Sequence, residues 1–271
     1  MTELAWGRRY LMCAPEYFGV AYEINPWMHQ EVMVDTDRAR QQWDRLVSTL
    51  ETAGATIELL DPVEGLPDLV FTANAGIVNG RQFVPANFRH PQRQGESQYD
   101  IAWFESHGWR VDRLSPTVDH EGAGDALPFG DVLVSGYRWR SDAAAHSELS
   151  RLTGVAVRSV ELVDPRFYHL DITFCPLDDR RAIAVPAAWD DYGMRVMKEL
   201  VPEILECDIE EGLGFVANSV VVGRTIVMPT CPPRVGRQLE AWGFDVVVCD
   251  VSEFTKAGGA VRCLTLALDV G

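Results

Sequence analysis

The sequence predicts an α/β fold in which about five copies of one small unit close into a ring. Three observations lead there. A polar-faced helical segment, a glycine and a β-branched run recur in that order along the 271 residues. Strand pairs with an internal turn fall in the intervals between copies. The glycines that stop the helical segments, Gly54, Gly108, Gly154 and Gly243, stand about 45 to 55 residues apart except across one doubled gap.

In chain order, DTDRARQQWDRLVSTLETAG is the first helical segment, ending at Gly54, and ATIELLD is its strand. AGIVNGRQFVPA reads as a hairpin, because Asn79-Gly80 supplies the residues that a two-residue turn with positive φ favours. YDIAWFESHG with WRVDRLS, and AAAHSELSRLTG with VAVRSVEL, repeat the helix, glycine and strand pattern. ITFCPLDDRRAIAVPA is a second strand pair, and WDDYGMRVMKELVPEILECDIEE fills the doubled gap as a copy that has lost its glycine stop. SVVVGRTIVMP is a third strand pair, before PRVGRQLEAWG and FDVVVCDV. The competing doubly wound sheet lacks support: no GxGxxG follows an early strand, and GAGD at Gly122 to Asp125 is too short to cradle a pyrophosphate. No linker or low-complexity tract divides the chain, so one domain over 1–271 is expected.

Composition narrows the function. Residues of hydrophobic type make up 47% of the chain, enough to bury a core without metal or disulfide staples. No run approaches the roughly 20 apolar residues of a spanning helix, and MTELAWGRRY lacks the apolar middle of a leader, so a cytoplasmic location is expected. A net charge of -16 without a basic block opposes nucleic acid and anionic membrane as partners. The six cysteines, Cys13, Cys175, Cys207, Cys231, Cys249 and Cys263, contain no CxxC pair and suggest neither a zinc site nor a disulfide framework.

Several polar residues nevertheless stand in apolar or glycine-rich surroundings. Cys263 in GGAVRCLTL is expected to open an apolar strand behind two glycines; taken alone it reads as a small buried hydrophobe, and a reactive role needs partners. In YHLDI, an alternating strand would put His169 and Asp171 on one face, where the carboxylate orients the imidazole. LPDLVFTANAG offers Asp68, Phe71 and Asn74: polar heads and an aromatic face between which a planar cation fits, or else a capped turn before a buried strand. HEGAGDAL places Glu121 on a loop that can approach a ligand closely, and Arg93 in RQGE and Arg140 in GYRWRSD are candidate clamps for a carboxylate.

Together, PDLVFTAN, RQGE, EGAGDAL, YHLD and GGAVRCLTL resemble the guanidino-group modifying enzymes of the pentein superfamily, over roughly Asn25 to Cys263. These comprise arginine deiminases, dimethylarginine dimethylaminohydrolases, amidinotransferases and arginine dihydrolases. The resemblance implies a five-bladed αβ propeller with its site in the central channel, in agreement with the repeat count. It implies Cys263 as nucleophile on the guanidinium carbon, His169 as general acid/base, and Asp68 and Glu121 on the guanidinium nitrogens with Phe71 nearby. It further implies Arg93 and Arg140 on the substrate's α-carboxylate, Asp171 on the guanidinium or His169, and no metal or cofactor. The expected partner is a small molecule, L-arginine or a methylated arginine, with homo-oligomerisation left open.

Bacterial dimethylarginine hydrolases carry two acids where this sequence has Ala73 and Asn74. FTANAG, with INPWM around Asn25, is more similar to the arginine dihydrolase branch, which takes arginine to ornithine, ammonia and carbon dioxide. A deiminase yielding citrulline, a dimethylaminohydrolase, an amidinotransferase and a noncatalytic binding protein are the alternatives.

Overall fold

A computed structural model describes residues 3–271; Met1 and Thr2, the start of the segment read above for a leader, lie outside the described residues. The first helix, Thr36–Thr52, starts where the Asp35 side chain accepts the backbone N–H of Arg38, and it buries a stripe of Ala39, Trp43, Leu46 and Leu50. All four expected glycine stops have positive φ: Gly54 102°, Gly108 78°, Gly154 73° and Gly243 83°. The copy without a glycine ends differently. Its helix, Asp191–Leu200, stops at an extended Val201 that precedes Pro202.

The strands form five sheets of three. β1 (Arg9–Cys13) and β2 (Thr56–Leu60) run parallel on either side, in sequence, of helix 36–52. β3 (Gly76–Asn79), β4 (Gln82–Pro85) and β5 (Arg110–Val111) make the second sheet. β6 (Ala126–Phe129), β7 (Val132–Tyr137) and β8 (Ala156–Glu161) make the third. β9 (Phe174–Pro176), β10 (Arg181–Ala184) and β11 (Glu203–Glu206) make the fourth. β12 (Val220–Val222), β13 (Thr225–Met228) and β14 (Asp245–Val248) make the fifth. The final strand, β15 (Leu266–Ala267), returns antiparallel to β1 and completes the first sheet.

Each complete unit is therefore a hairpin, a helix, and a third strand parallel to the hairpin's second strand. The sequence reading began each unit at its helix; the sheets begin one step earlier, at the hairpin. The first unit borrows its missing strand from the opposite end of the chain, which closes the repeat.

A turn precedes the first strand of every unit, and hydrogen bonds link these turns in a circuit. Ala73 N donates to Cys263 O, Asn74 Nδ2 to Glu121 O, Leu170 N to Asp125 Oδ1, Asn218 Nδ2 to Asp171 O, and Arg262 N to Asn218 O. This is the five-bladed pentein propeller expected from the sequence. Among the described residues, no helix is long and apolar enough to cross a membrane.

Candidate active site at the linked turns

The five linked turns carry most of the polar residues singled out in the sequence. Asp68, Phe71 and Asn74 lie on the two 3-10 turns Pro67–Val70 and Thr72–Ala75 before β3. Glu121 precedes the turn Gly122–Gly124 before β6, and His169 precedes the turn Leu170–Ile172 before β9. Cys263 sits in a turn over 261–264 before β15. All of these side chains are buried. Arg93 enters from the short helix Pro91–Gln94, and Arg140 from the loop after β7, where Arg138 is held at a φ of 115° and donates its N–H to Ser141 O.

Two local expectations are corrected. YHLDI is not a strand: His169 is extended, but Leu170–Ile172 turns, so His169 and Asp171 do not share a strand face. The imidazole Nε2 lies 2.9 Å from Glu121 Oε2, making Glu121 its orienting group, whereas Asp171 Oδ2 lies 3.4 Å from Cys263 Sγ. Cys263 likewise does not open a strand, because β15 starts three residues later. In both cases alternation in the sequence masks a turn that tertiary hydrogen bonds stabilise.

The two arginines are not solvated surface groups. Arg93 Nε and Nη2 form a fork on the Glu96 carboxylate at 2.9 and 2.7 Å, Nη1 donates to Asn74 Oδ1 at 2.7 Å, and Nη2 donates to Asp68 O at 3.1 Å. Arg140 Nη1 donates to Glu121 Oε2 at 2.8 Å, Nη2 donates to Ile24 O, and the guanidinium lies over the Tyr168 ring. A guanidinium has five N–H donors, so each retains at least one beyond these bonds. Asn25, expected at the substrate, has Oδ1 accepting from Trp27 N and Met28 N and one N–H of Nδ2 donating to Ala257 O, which leaves one amide N–H beyond these bonds. An Asn at the head of a turn satisfies the turn's own backbone first. Phe71 packs edge-on against Phe18 and presses on Gly259, where a Cβ would collide with its ring.

Among the described residues, five buried carboxylate oxygens have no hydrogen-bond partner: the two of Asp100, away from these turns on helix Ser97–Ser106, and three on the linked turns, Asp68 Oδ1, Glu121 Oε1 and Asp171 Oδ1. Buried acceptors are rarely left unpaired, so three on neighbouring turns mark a place for a donor-rich cation. Electrostatics separates the acids. Burial alone would raise Glu121, but Arg140 and the His169 hydrogen bond hold it well below the usual carboxylate range. Burial pushes Asp171 up to about 7, with Arg262 opposing, and raises Asp68 despite Arg93. Burial lowers His169 to about 4 against the pull of Glu121, and burial with Asp171 raises the Cys263 thiol well above its ordinary range. The resting site thus holds a thiol, a neutral imidazole and an ionised Glu121.

Sequence reasoning missed residues that touch this set. The Tyr22 hydroxyl donates to Asp68 Oδ2 at 3.0 Å, and Ser141 Oγ accepts from Glu121 N while donating to Asp125 Oδ2 at 2.6 Å. Asn218, in the turn before β12, lies 3.1 Å from Cys263 Sγ. It had a legible signal: Phe215-Val216-Ala217-Asn218 repeats Phe71-Thr72-Ala73-Asn74.

Comparison with known proteins agrees with this geometry. The family model for N,N dimethylarginine dimethylhydrolase, eukaryotic, matches residues 15–269. The chain is 40% identical over 261 residues to the N(G),N(G)-dimethylarginine dimethylaminohydrolase of Mycobacterium tuberculosis, covering 96% of this chain and 86% of that protein. It is also 40% identical to the bifunctional arginine dihydrolase/ornithine cyclodeaminase ArgZ of Synechocystis, covering 95% of this chain but 37% of that longer protein. The substrate-bound crystal structure of a mutant N-terminal domain of ArgZ, an arginine dihydrolase of cyanobacteria, superposes with a TM-score of 0.93 at 39% identity, covering 96% of this chain and 97% of that one. The chain therefore belongs to the dimethylarginine dimethylhydrolase family within the pentein superfamily, and is a cysteine-dependent hydrolase acting on the C–N bonds of arginine-type guanidino groups.

Proposed function

We propose that this chain, acting as one catalytic unit, is an arginine dihydrolase that converts L-arginine and two waters to ornithine, two ammonia and carbon dioxide. The observation that carries the reading is the wall of the site: unpartnered oxygens of Asp68, Glu121 and Asp171 beside Cys263, with Asn74 where a further acid would otherwise stand. Carboxylates fix a guanidinium, while a neutral amide that both donates and accepts tolerates the uncharged ureido product of the first round.

In this reading the substrate cation activates its own attacker. The Cys263 thiol rests protonated against Asp171. A guanidinium arriving at Asp68, Glu121 and Asp171 supplies the positive charge that favours a thiolate. His169, neutral and oriented by Glu121, takes the thiol proton. The sulfur attacks Cζ, His169 returns the proton to the departing ammonia, and water activated by the same imidazole releases the ureido compound and regenerates the thiol. A second attack on that ureido carbon expels the second ammonia, and hydrolysis leaves the carbamate of ornithine, which loses carbon dioxide. The N–H groups remaining on Arg93 and Arg140 hold the α-carboxylate.

A second reading, hydrolysis of dimethylarginine, is favoured by the length-matched Mycobacterium tuberculosis relative. Product analysis by mass spectrometry separates the two. Ornithine from L-arginine is expected; stable citrulline would make the chain a deiminase, and turnover of dimethylarginine alone would make it a dimethylaminohydrolase. Asn74→Asp is expected to accumulate citrulline.

A further inference from the structure

We propose that Asn218 is a further catalytic group, which aims the Cys263 sulfur and favours its ionised form by donating a hydrogen bond to it. The inference rests on Cys263 being the nucleophile. The orientation of the Asn218 amide follows from its partners. Its Oδ1 lies 3.0 Å from Arg262 N and 3.3 Å from Cys263 N, and backbone N–H groups can only donate, so the NH2 must face the other way. There Nδ2 finds Asp171 O at 3.1 Å and Cys263 Sγ at 3.1 Å. Two donors and two acceptor positions are thus all used, in a side chain that is fully buried. The amide ties the turn bearing Asp171 to the turn bearing Cys263, and it touches the reacting atom itself.

The sulfur lies between opposite influences. Asp171 Oδ2, at 3.4 Å, accepts from the thiol and favours the S–H form. Asn218 presents a fixed N–H, and an anion accepts such a bond far more strongly than a neutral thiol does. When the substrate cation engages Asp171 and the thiol proton departs, Asn218 remains as the donor to the thiolate. The related Asn74 faces Arg93 through Oδ1 and Glu121 O through Nδ2, so the repeated Phe-x-Ala-Asn turn serves two different partners in two blades.

Asn218→Asp is the decisive variant, because it keeps acceptors for the Arg262 and Cys263 N–H groups while removing the donors to the sulfur and to Asp171 O. Wild type, Asn218→Asp and Cys263→Ser are compared by steady-state turnover of L-arginine and dimethylarginine, thermal melting, and the pH dependence of Cys263 alkylation by iodoacetamide. Asn218→Asp is expected to melt cooperatively, to lose on the order of a hundredfold in kcat with KM within about threefold, and to move the alkylation midpoint up by one to two pH units. An unshifted alkylation profile with kcat near wild type overturns the inference, since the sulfur would then have lost its N–H donor and gained a carboxylate neighbour without consequence. If Asn218→Asp does not melt cooperatively, Asn218→Ser carries the same comparison, and an unshifted profile there also overturns it. Turnover that persists in Cys263→Ser would instead sink the nucleophile assignment, a different result from a Cys263-dependent enzyme indifferent to position 218.

Discussion

Gly124→Ala tests whether the site depends on the placement of Asn74. Gly124 has no positive φ, so alanine adds no backbone strain there. The added methyl, however, falls far inside contact distance of Asn74 Nδ2 and 3.3 Å from His169 Nδ1. Carbon and nitrogen settle near 3.5 Å, so the amide must retreat by on the order of 1 Å. That movement breaks the 2.7 Å bond between Arg93 Nη1 and Asn74 Oδ1, a charge-assisted bond in a buried setting. Such bonds contribute about 1.5–3 kcal/mol, which in a chain of this size lowers the melting temperature by roughly 3–10 °C. A 1 Å misplacement in a catalytic constellation costs about a hundredfold in rate. The assay is ammonia release from L-arginine alongside thermal melting. A variant within threefold of wild-type kcat/KM would refute the reasoning, because the methyl would then have been absorbed without moving Asn74 or His169.

Two further predictions concern Asp171. Because burial pushes its carboxyl up to about 7, the free enzyme must lose this proton before a guanidinium can pair with it, and kcat/KM for L-arginine should climb about tenfold per pH unit up to about 7; a profile flat from about pH 5 to 7 would contradict this. The same shift has a consequence for stability: between 3.8 and about 7 the folded carboxyl holds a proton that the unfolded one has released, so stability falls as pH rises through that window and the full cost is present above it. Asp171→Asn should therefore be inactive yet melt higher than wild type at about pH 8, by a margin worth a few kcal/mol that shrinks toward pH 5; equal melting at the higher pH would show that Arg262 and Cys263 already compensate the charge.

The repeat was legible because each unit carries local signals. Gly54, Gly108, Gly154 and Gly243 stand where a left-handed residue ends a helix, and Asn79-Gly80 marks a hairpin turn with Gly80 at φ 58°. The phase of the repeat was not legible, since helix, strand and hairpin recur in the same cyclic order wherever counting starts. The partner of His169 was misread for a related reason. His-x-Asp spacing defines a shared face only in a strand, and Leu170 N donating to Asp125 Oδ1 belongs to a turn.

What the sequence determined alone is the α/β ring of about five units, the nucleophile and acid candidates, and the membership of the guanidino-modifying group, because these depend on residue types in a fixed order. Tertiary structure alone decided which groups pair. Glu121 with His169 and Arg140, and Asp171 and Asn218 with Cys263, are contacts between residues 19 to 92 positions apart in the sequence. Burial and its opponents then set their charges: Arg140 and the His169 hydrogen bond hold Glu121 well below the usual carboxylate range against burial, while burial pushes Asp171 up to about 7 against Arg262. Neither the depth of a side chain nor the identity of its neighbour across the ring is encoded in local spacing.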